Sequence, residues 1–178
     1  MILAAILWWT AAPVGAAGER LAAPPLPDFV IGYEARDPNY DMAISEEVPA
    51  GQNVQEWTRM VTTQRMGGLA ARVSVQAFLQ AMADGLPASC PGAATSPVKT
   101  SVVGGRATAR MEVACPRLAS TGKPETFLIL AIAGPRDIHV KQVAFRGGHR
   151  PSDMVWARAF LDRVSFCAAD NRRDARAD

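Results

Sequence analysis

An unbroken apolar run constrains the fold of this chain more than any other sequence feature. Residues 127–133 read FLILAIA, so a strand here is apolar on both of its alternating faces. A strand with two apolar faces needs cover on each side, which places it in the interior of a sheet. We therefore expect a strand at 125–133 near the centre of a sheet that has helices packed on it.

The neighbouring segments predict more strands, joined mostly by short turns. Residues 97–103 and 106–115 meet at Gly104-Gly105, a dipeptide that suits a two-residue hairpin turn and would pair Val103 with Arg106. A turn around residues 134–137 leads from the apolar strand to the next one. Period-two alternation or β-branched residues predict the remaining strands, at 28–35, at 41–48, along MVTTQ at 60–64, and at 137–146.

Two segments have the periodicity of helices that pack on a core. From Ser74 to Asp84 the apolar residues recur at i, i+3, i+4 and i+7, Ser74 can cap the first turn, and Gly85 and Pro87 should end the helix. The second helix opens at Pro151 and Ser152. Its apolar stripe consists of Met154, Ala157, Phe160, Leu161, Val164 and Cys167.

A third, short helix is expected after residue 52. Asn53 and Glu56 have the spacing of a capping box, and the apolar face would be Val54, Trp57 and Met60. With this helix the element order is that of an antiparallel sheet with singly occurring helices packed on it, an α+β fold. We expect one such domain over 28–168.

The two ends of the chain are expected to lie outside that domain. Residues 1–17 carry no charge and combine an apolar run with small residues before Ala17, the pattern of a secretory signal peptide. They lack the usual basic start, so a retained anchor is the alternative. Residues 18–27 are expected to form a proline-rich lead, and 169–178 a charged, flexible tail. The mature chain would be periplasmic or secreted and would have no transmembrane domain.

Export gives the three cysteines a role, because disulfides persist outside the cytoplasm. Cys90 and Cys115 flank the predicted hairpin near its open end, so they are our preferred pair. The alternative is that all three are buried, unpaired thiols. Cys167 suits that alternative because it falls on the apolar stripe of the last helix.

Several short motifs carry a family resemblance. They are Val48-Pro-Ala-Gly51, the segment 56–64 (EWTRMVTTQ), Cys90-Pro91-Gly92, Cys115-Pro116 and Val164-Ser-Phe-Cys167. Together they resemble a group of small exported bacterial proteins of uncharacterised function, and the order of elements is similar to the MOG1/PsbP-like fold. The resemblance implies a fold and a compartment, and it lends no catalytic residues.

Motifs for catalysis or cofactor binding are missing from the sequence. The two histidines, His139 and His149, are not close pairs of the kind that zinc sites use, and His139 alternates with apolar neighbours as a hydrogen-bonded sheet histidine would. No G-x-S-x-G, P-loop or G-x-G-x-x-G spacing occurs. Glu46 and Glu47 should point to opposite faces of their strand. We therefore predict no catalytic residue, no metal site and no cofactor.

The formal charge of the chain is only +2, and this small charge gives no reason to expect nucleic acid as a partner. One local cluster of basic residues nevertheless stands out. The glycines Gly147-Gly148 could offer backbone amides to an anion. The cluster, a candidate anion-binding loop, consists of Lys141, Arg146, His149 and Arg150. The alternative is a solvated loop before a helix. Trp57 and Trp156 lie beside apolar stripes and are expected in the core.

These observations lead to a ranked expectation about function. The first is a non-enzymatic, exported module that binds an envelope protein or polymer. The second is a carrier of a small or anionic ligand, and the third is an enzyme whose chemistry is spread over distant positions. A deep pocket with convergent polar groups would favour the second and third, and a flat apolar patch the first.

Overall fold

The computed structural model describes residues 18–168. The predicted signal peptide, 1–17, and the predicted tail, 169–178, lie outside the described residues. Within 18–168 neither of the α-helices is long and apolar enough to cross a bilayer.

Ten strands and two α-helices make up the described chain. In chain order they are β1 (Arg20–Ala22), β2 (Phe29–Asp37), β3 (Met42–Pro49), β4 (Arg59–Met66), α1 (Val75–Ser89), β5 (Ala94–Thr95), β6 (Lys99–Val103), β7 (Arg106–Cys115), β8 (Glu125–Ala133), β9 (Ile138–Arg146), α2 (Pro151–Asp162) and β10 (Ser165–Cys167). A short 3-10 helix, Leu69–Ala71, follows β4. The main sheet is antiparallel, with the order β2-β3-β4-β9-β8-β7-β5, and β6 also pairs with β7.

The apolar run lies where the sequence predicts. Strand β8 pairs with β7 on one side and β9 on the other, and Leu128 to Ile132 are buried on both faces. The hairpin register is confirmed as well, since Val103 pairs with Arg106 and Lys99 with Arg110. Local alternation and turn chemistry were therefore sufficient to specify this part of the sheet.

The two helices cover opposite faces of the sheet. Helix α2 packs on what we call the α2 face, against Leu128, Leu130 and Val143. Helix α1 packs on the other, the α1 face, against Ile129 and Val140. Helix α1 lies over β7 and β8, and α2 lies over β8 and β9, so this covered half contains most of the apolar core. The remaining strands, β2, β3 and β4, form an open half.

Helix α1 begins as predicted and ends later. The Ser74 hydroxyl accepts a hydrogen bond from the Ala77 amide at 3.1 Å, but Gly85 and Pro87 lie within the helix instead of ending it. The last turn is held at Cys90, whose amide donates to the Leu86 carbonyl at 2.7 Å. Cys90 is also disulfide-bonded to Cys115 of β7, which ties the end of the helix to the sheet.

That disulfide is the pairing preferred from the sequence. The Cα atoms of Cys90 and Cys115 are 5.8 Å apart, and both residues are buried. Cys167 is half-buried and not disulfide-bonded.

The prediction of a short helix after residue 52 is wrong. The Asn53 side chain accepts hydrogen bonds from the amides of Gln55 and Glu56, at 2.9 and 3.0 Å, and thereby closes a turn. A side-chain acceptor such as that of Asn53 can cap a turn as well as a helix. The β-branched residues that follow favour a strand, and β4 begins at Arg59. Met60 therefore lies in a strand.

The last helix is shorter than its stripe suggested. Residues 165–167 form β10, which pairs with β1 in a separate two-stranded ribbon, with Leu21 opposite Phe166. Residues 20–22 of the expected lead thus form a strand, and Cys167 lies on β10. Both Leu21 and Phe166 pack against the core beneath α2.

Candidate functional site

A cleft of about 700 Å³ opens between β1 and the open half of the sheet. Most of the side chains that line it are polar or charged, and they come from five strands or their ends. The principal ones are Glu19, Arg20, Glu34, Arg36, Ser45, Thr63, Arg65, Asp137 and His139. The cleft thus has the convergent polar groups expected of a ligand carrier or an enzyme, and it is open to solvent.

Strand register brings these side chains to one face. Arg36 pairs with Ala43, Ala43 with Arg65, and Arg65 with His139, so the four form a row across β2, β3, β4 and β9. Residues directly opposite one another share a face of the sheet. His139 pairs in turn with Ile132 of β8, where the same face becomes apolar beneath α2.

Arg65 organises the charged groups at the inner end of the cleft. Its guanidinium donates to Asp137 at 2.9 Å and to Asp41 at 2.6 Å. Burial raises the pKa of Asp137, but hydrogen bonds from the Gly68 amide, at 2.8 Å, and from Arg65 outweigh that effect and hold this pKa below its usual value. The hydrogen bond from Arg65 likewise lowers the pKa of Asp41. Both carboxyls are therefore ionised at neutral pH.

His139 lies in the same corner. It is only 3% exposed, its Nε2 is 3.4 Å from Glu19 Oε2, and its ring meets Phe166 edge-on at 5.5 Å. It is a sheet histidine, as expected, but its partner comes from the segment 18–27. One donor atom each of Glu19, Asp137 and His139 lies within 4.8 Å of the others. Chain spacing did not reveal this group because Glu19 is remote in sequence from the other two.

The structure does not bring the four residues of the predicted basic loop together. Lys141 is buried on the α2 face, where its Nζ donates to Thr63 Oγ1 at 2.7 Å and to Glu47 Oε2 at 3.3 Å. Burial lowers the pKa of Lys141, and Glu47 opposes that effect. Arg146 is an odd number of residues away on the same strand, so it points to the other face.

Arg146 is engaged in contacts of its own. Its Nε donates to Glu125 at 2.8 Å, and its guanidinium lies 4.0 Å from the centre of the Trp57 ring. His149 and Arg150 are exposed, and Arg150 contacts Asp153 in the first turn of α2. Gly147-Gly148 leads from β9 to α2 and is not a hairpin turn. Anion binding by the exposed pair, His149 and Arg150, stays a prediction.

The other singled-out residues are placed largely as expected. Trp57 is buried, and Trp156 is half-buried, stacked on Phe160 with ring centres 5.5 Å apart. Glu47 contacts Lys141 on the α2 face, and Glu46 lies on the α1 face, where burial raises its pKa. The two carboxylates do not form a dyad.

Comparisons with known proteins bear on the fold. No family model matches the chain, and no curated protein matches it in sequence. The solution structure of cyanobacterial PsbP from Synechocystis sp. PCC 6803 is similar, with a TM-score of 0.51 and 8% identity over 88% of this chain and 96% of that one. A mutant of the protein Mog1 is also similar, with a TM-score of 0.51 and 8% identity over 85% of this chain and 92% of that one. The chain has a MOG1/PsbP-like fold. At this identity the likeness shows the fold alone, so the site must be interpreted from its own chemistry.

Proposed function

We propose that the protein is an exported, non-enzymatic binding module of the cell envelope, and that its ligand binds in the cleft. The observation that carries the proposal is the cleft itself, which is open to solvent and collects polar side chains from several strands. Its volume is in the range of small-ligand sites, and its lining is more polar than that of most such sites, which suits a charged ligand. Export is supported by the uncharged, signal-like residues 1–17 and by the disulfide, which fits an oxidising compartment.

The charges of the cleft indicate the class of ligand. Arg20 and Arg36 line it, and neither has an ion-pair partner among residues 18–168. Arg65, by contrast, is neutralised by two aspartates. The two arginines are therefore available to a ligand that carries phosphate or carboxylate groups, because guanidinium recognises both in bidentate fashion. Small envelope metabolites and the charged ends of envelope polymers share this chemistry.

Isothermal titration calorimetry with phosphorylated and carboxylated sugars tests the proposal. Removing one charge-assisted contact should weaken binding about tenfold in Arg36→Ala. Arg117→Ala is the matched control, since Arg117 is exposed on the loop after β7 and should leave affinity unchanged. Failure of every anionic probe to bind, or equal affinities for the wild type and Arg36→Ala, would overturn the anionic-ligand proposal.

A partner protein is the second candidate, and the hairpin formed by β2 and β3 favours it. Exposed large apolar side chains concentrate there, namely Val30, Ile31, Tyr33, Tyr40 and Met42, with exposures of 46, 60, 46, 73 and 42%. Strand β2 is also an edge of the sheet, so an extended segment of a partner could pair with it.

The two candidates predict different mutational effects. Ile31→Lys should abolish recovery of a specific partner from envelope extracts and leave binding to the cleft intact. Val102→Lys is the control, because Val102 is 72% exposed on β6, at the opposite side of the sheet. Equal recovery by the two variants would exclude the β2 edge as the docking strand.

A further inference from the structure

The inner end of the cleft has the geometry of a metal site. The separation of 3.4 Å between His139 Nε2 and Glu19 Oε2 exceeds the 2.9–3.0 Å that N–H···O hydrogen bonds most often show. In a tetrahedral site with metal–ligand bonds of about 2.0–2.1 Å, neighbouring ligand atoms lie about 3.4 Å apart. The distance is long for the hydrogen bond that this pair can form and also matches two ligands of one ion.

Asp137 supplies the third donor. Each of its carboxylate oxygens already accepts one hydrogen bond, from the Gly68 amide and from Arg65, and each oxygen keeps a second lone pair. These bonds fix the orientation of the carboxylate, as outer-shell partners do at metal sites. The three donor atoms lie within 4.8 Å of one another, so side-chain movements of about 1 Å would close them on one ion.

Charge favours a divalent cation at this position. Glu19 and Asp137 bring two carboxylates to His139, and among residues 18–168 Arg65 is the only arginine or lysine that forms an ion pair with Asp137, a guanidinium that Asp137 shares with Asp41. Arg20 and Arg36 line the same cleft but form no ion pair with either carboxylate among the described residues. The side chains of Glu19 and Asp137 are only 15 and 12% exposed, and carboxylates so far removed from water need compensating charge.

The local backbone leaves room for the Glu19 side chain. A Cβ atom at position 134 would overlap the Glu19 carboxylate, so Gly134 is what allows Glu19 to reach the corner occupied by His139. Gly134 begins the turn between β8 and β9, and Asp137 ends it. The turn therefore serves both to seat Glu19 and to present Asp137.

We propose that Glu19, Asp137 and His139 bind a divalent transition-metal ion, and that Zn²⁺ fits them best. One imidazole and two carboxylates are a ligand set that zinc accepts, and three protein ligands leave one position open. That position faces the cleft, because all three residues line it. The metal site does not depend on the anionic ligand proposed above, and each can fail without the other.

Zinc titration of tag-free, chelator-treated protein tests the site. We expect one Zn²⁺ per chain by calorimetry, a rise in Tm on saturation, and the visible spectrum of a tetrahedral complex when Co²⁺ replaces Zn²⁺. Glu19→Gln keeps the size of the side chain and removes its charge, and it should weaken zinc binding at least tenfold. Asp137→Asn should do the same if it retains the wild-type circular dichroism.

Two control variants separate this site from other zinc ligands. Glu34→Gln changes a carboxylate of the same cleft outside the group, and Cys167→Ser removes the thiol that is not disulfide-bonded. Both should bind zinc as the wild type does. Absence of stoichiometric binding to the wild type overturns the proposal. So does zinc affinity that is unchanged in Glu19→Gln, or that is lost in Cys167→Ser.

Discussion

The covered and open halves of the sheet differ in what lies above them, although the strands run without a break from one to the other. In the covered half, β8 is apolar on both faces and lies between α1 and α2, and β7 and β9 add further apolar residues to the core on either side of it. In the open half, β2, β3 and β4 are polar on the α2 face, where the cleft lies. The covered half therefore supplies most of the buried apolar core, and the open half supplies the candidate binding surfaces.

The largest expected effect is a cavity in the covered half. Leu130 is 1% exposed in the centre of β8, and Leu130→Ala should lower the free energy of unfolding by about 2–5 kcal/mol because the site cannot fully collapse. Ile31→Ala in the open half removes a side chain that is 60% exposed and should cost less than about 0.5 kcal/mol. Urea unfolding measures both, and similar costs would contradict the division of the sheet into two halves.

Loss of the disulfide should have the next largest effect on stability. Replacing Cys90 and Cys115 together by alanine removes a cross-link of sequence separation 25, which should destabilise the protein by about 3 kcal/mol through the entropy of the unfolded chain. The loss should appear as a lower urea midpoint. Cys167→Ser, outside the covered half, serves as the control and should leave the midpoint nearly unchanged.

The smallest effect concerns a carboxyl of the open half. Burial raises the pKa of Glu46 from its ordinary value of 4.5, so the folded state disfavours its charged form. Ionised Glu46 therefore destabilises the folded protein above the raised pKa. This destabilisation disappears as the pH falls to the pKa that Glu46 has in the unfolded chain. Glu46 is only partly buried, so solvent screens the effect.

Glu46→Gln should accordingly raise Tm at pH 7 by about 1–2 °C and have no effect below about pH 4. Thermal unfolding followed by circular dichroism at several pH values measures this difference. Glu34→Gln on β2 is the control, since Glu34 is exposed. A rise that persisted at low pH would show that ionisation of Glu46 is not its cause.

Sequence reasoning succeeded where the signal was local. The apolar run at 127–133, the Gly104-Gly105 turn and the spacing of Val75, Phe78 and Leu79 each specify an element by the residues within it. It failed where one local pattern was compatible with two different structures. The Asn53 acceptor closes a turn instead of opening a helix, because the residues that follow pair with β9 as a strand.

The candidate site was largely hidden from the sequence. Its row of Arg36, Arg65 and His139 depends on which strands become neighbours, and β4 pairs with β9 across the intervening hairpins and helix. The basic cluster illustrates the opposite error, since Lys141 and Arg146 are near in sequence and lie on opposite faces. Proximity along a strand does not imply a shared surface.

The sequence by itself determined the strands of the covered half, the starts of its two helices and the turns between them, and it favoured the observed cysteine pair, because each depends on periodicity or on neighbouring residues. Only the tertiary structure decided that residues 20–22 pair with 165–167 and that Glu19 meets Asp137 and His139. Such contacts join segments far apart in the chain, and they form because burying Leu21 and Phe166 against the core holds β1 over the sheet. The cleft and its charges follow from that packing.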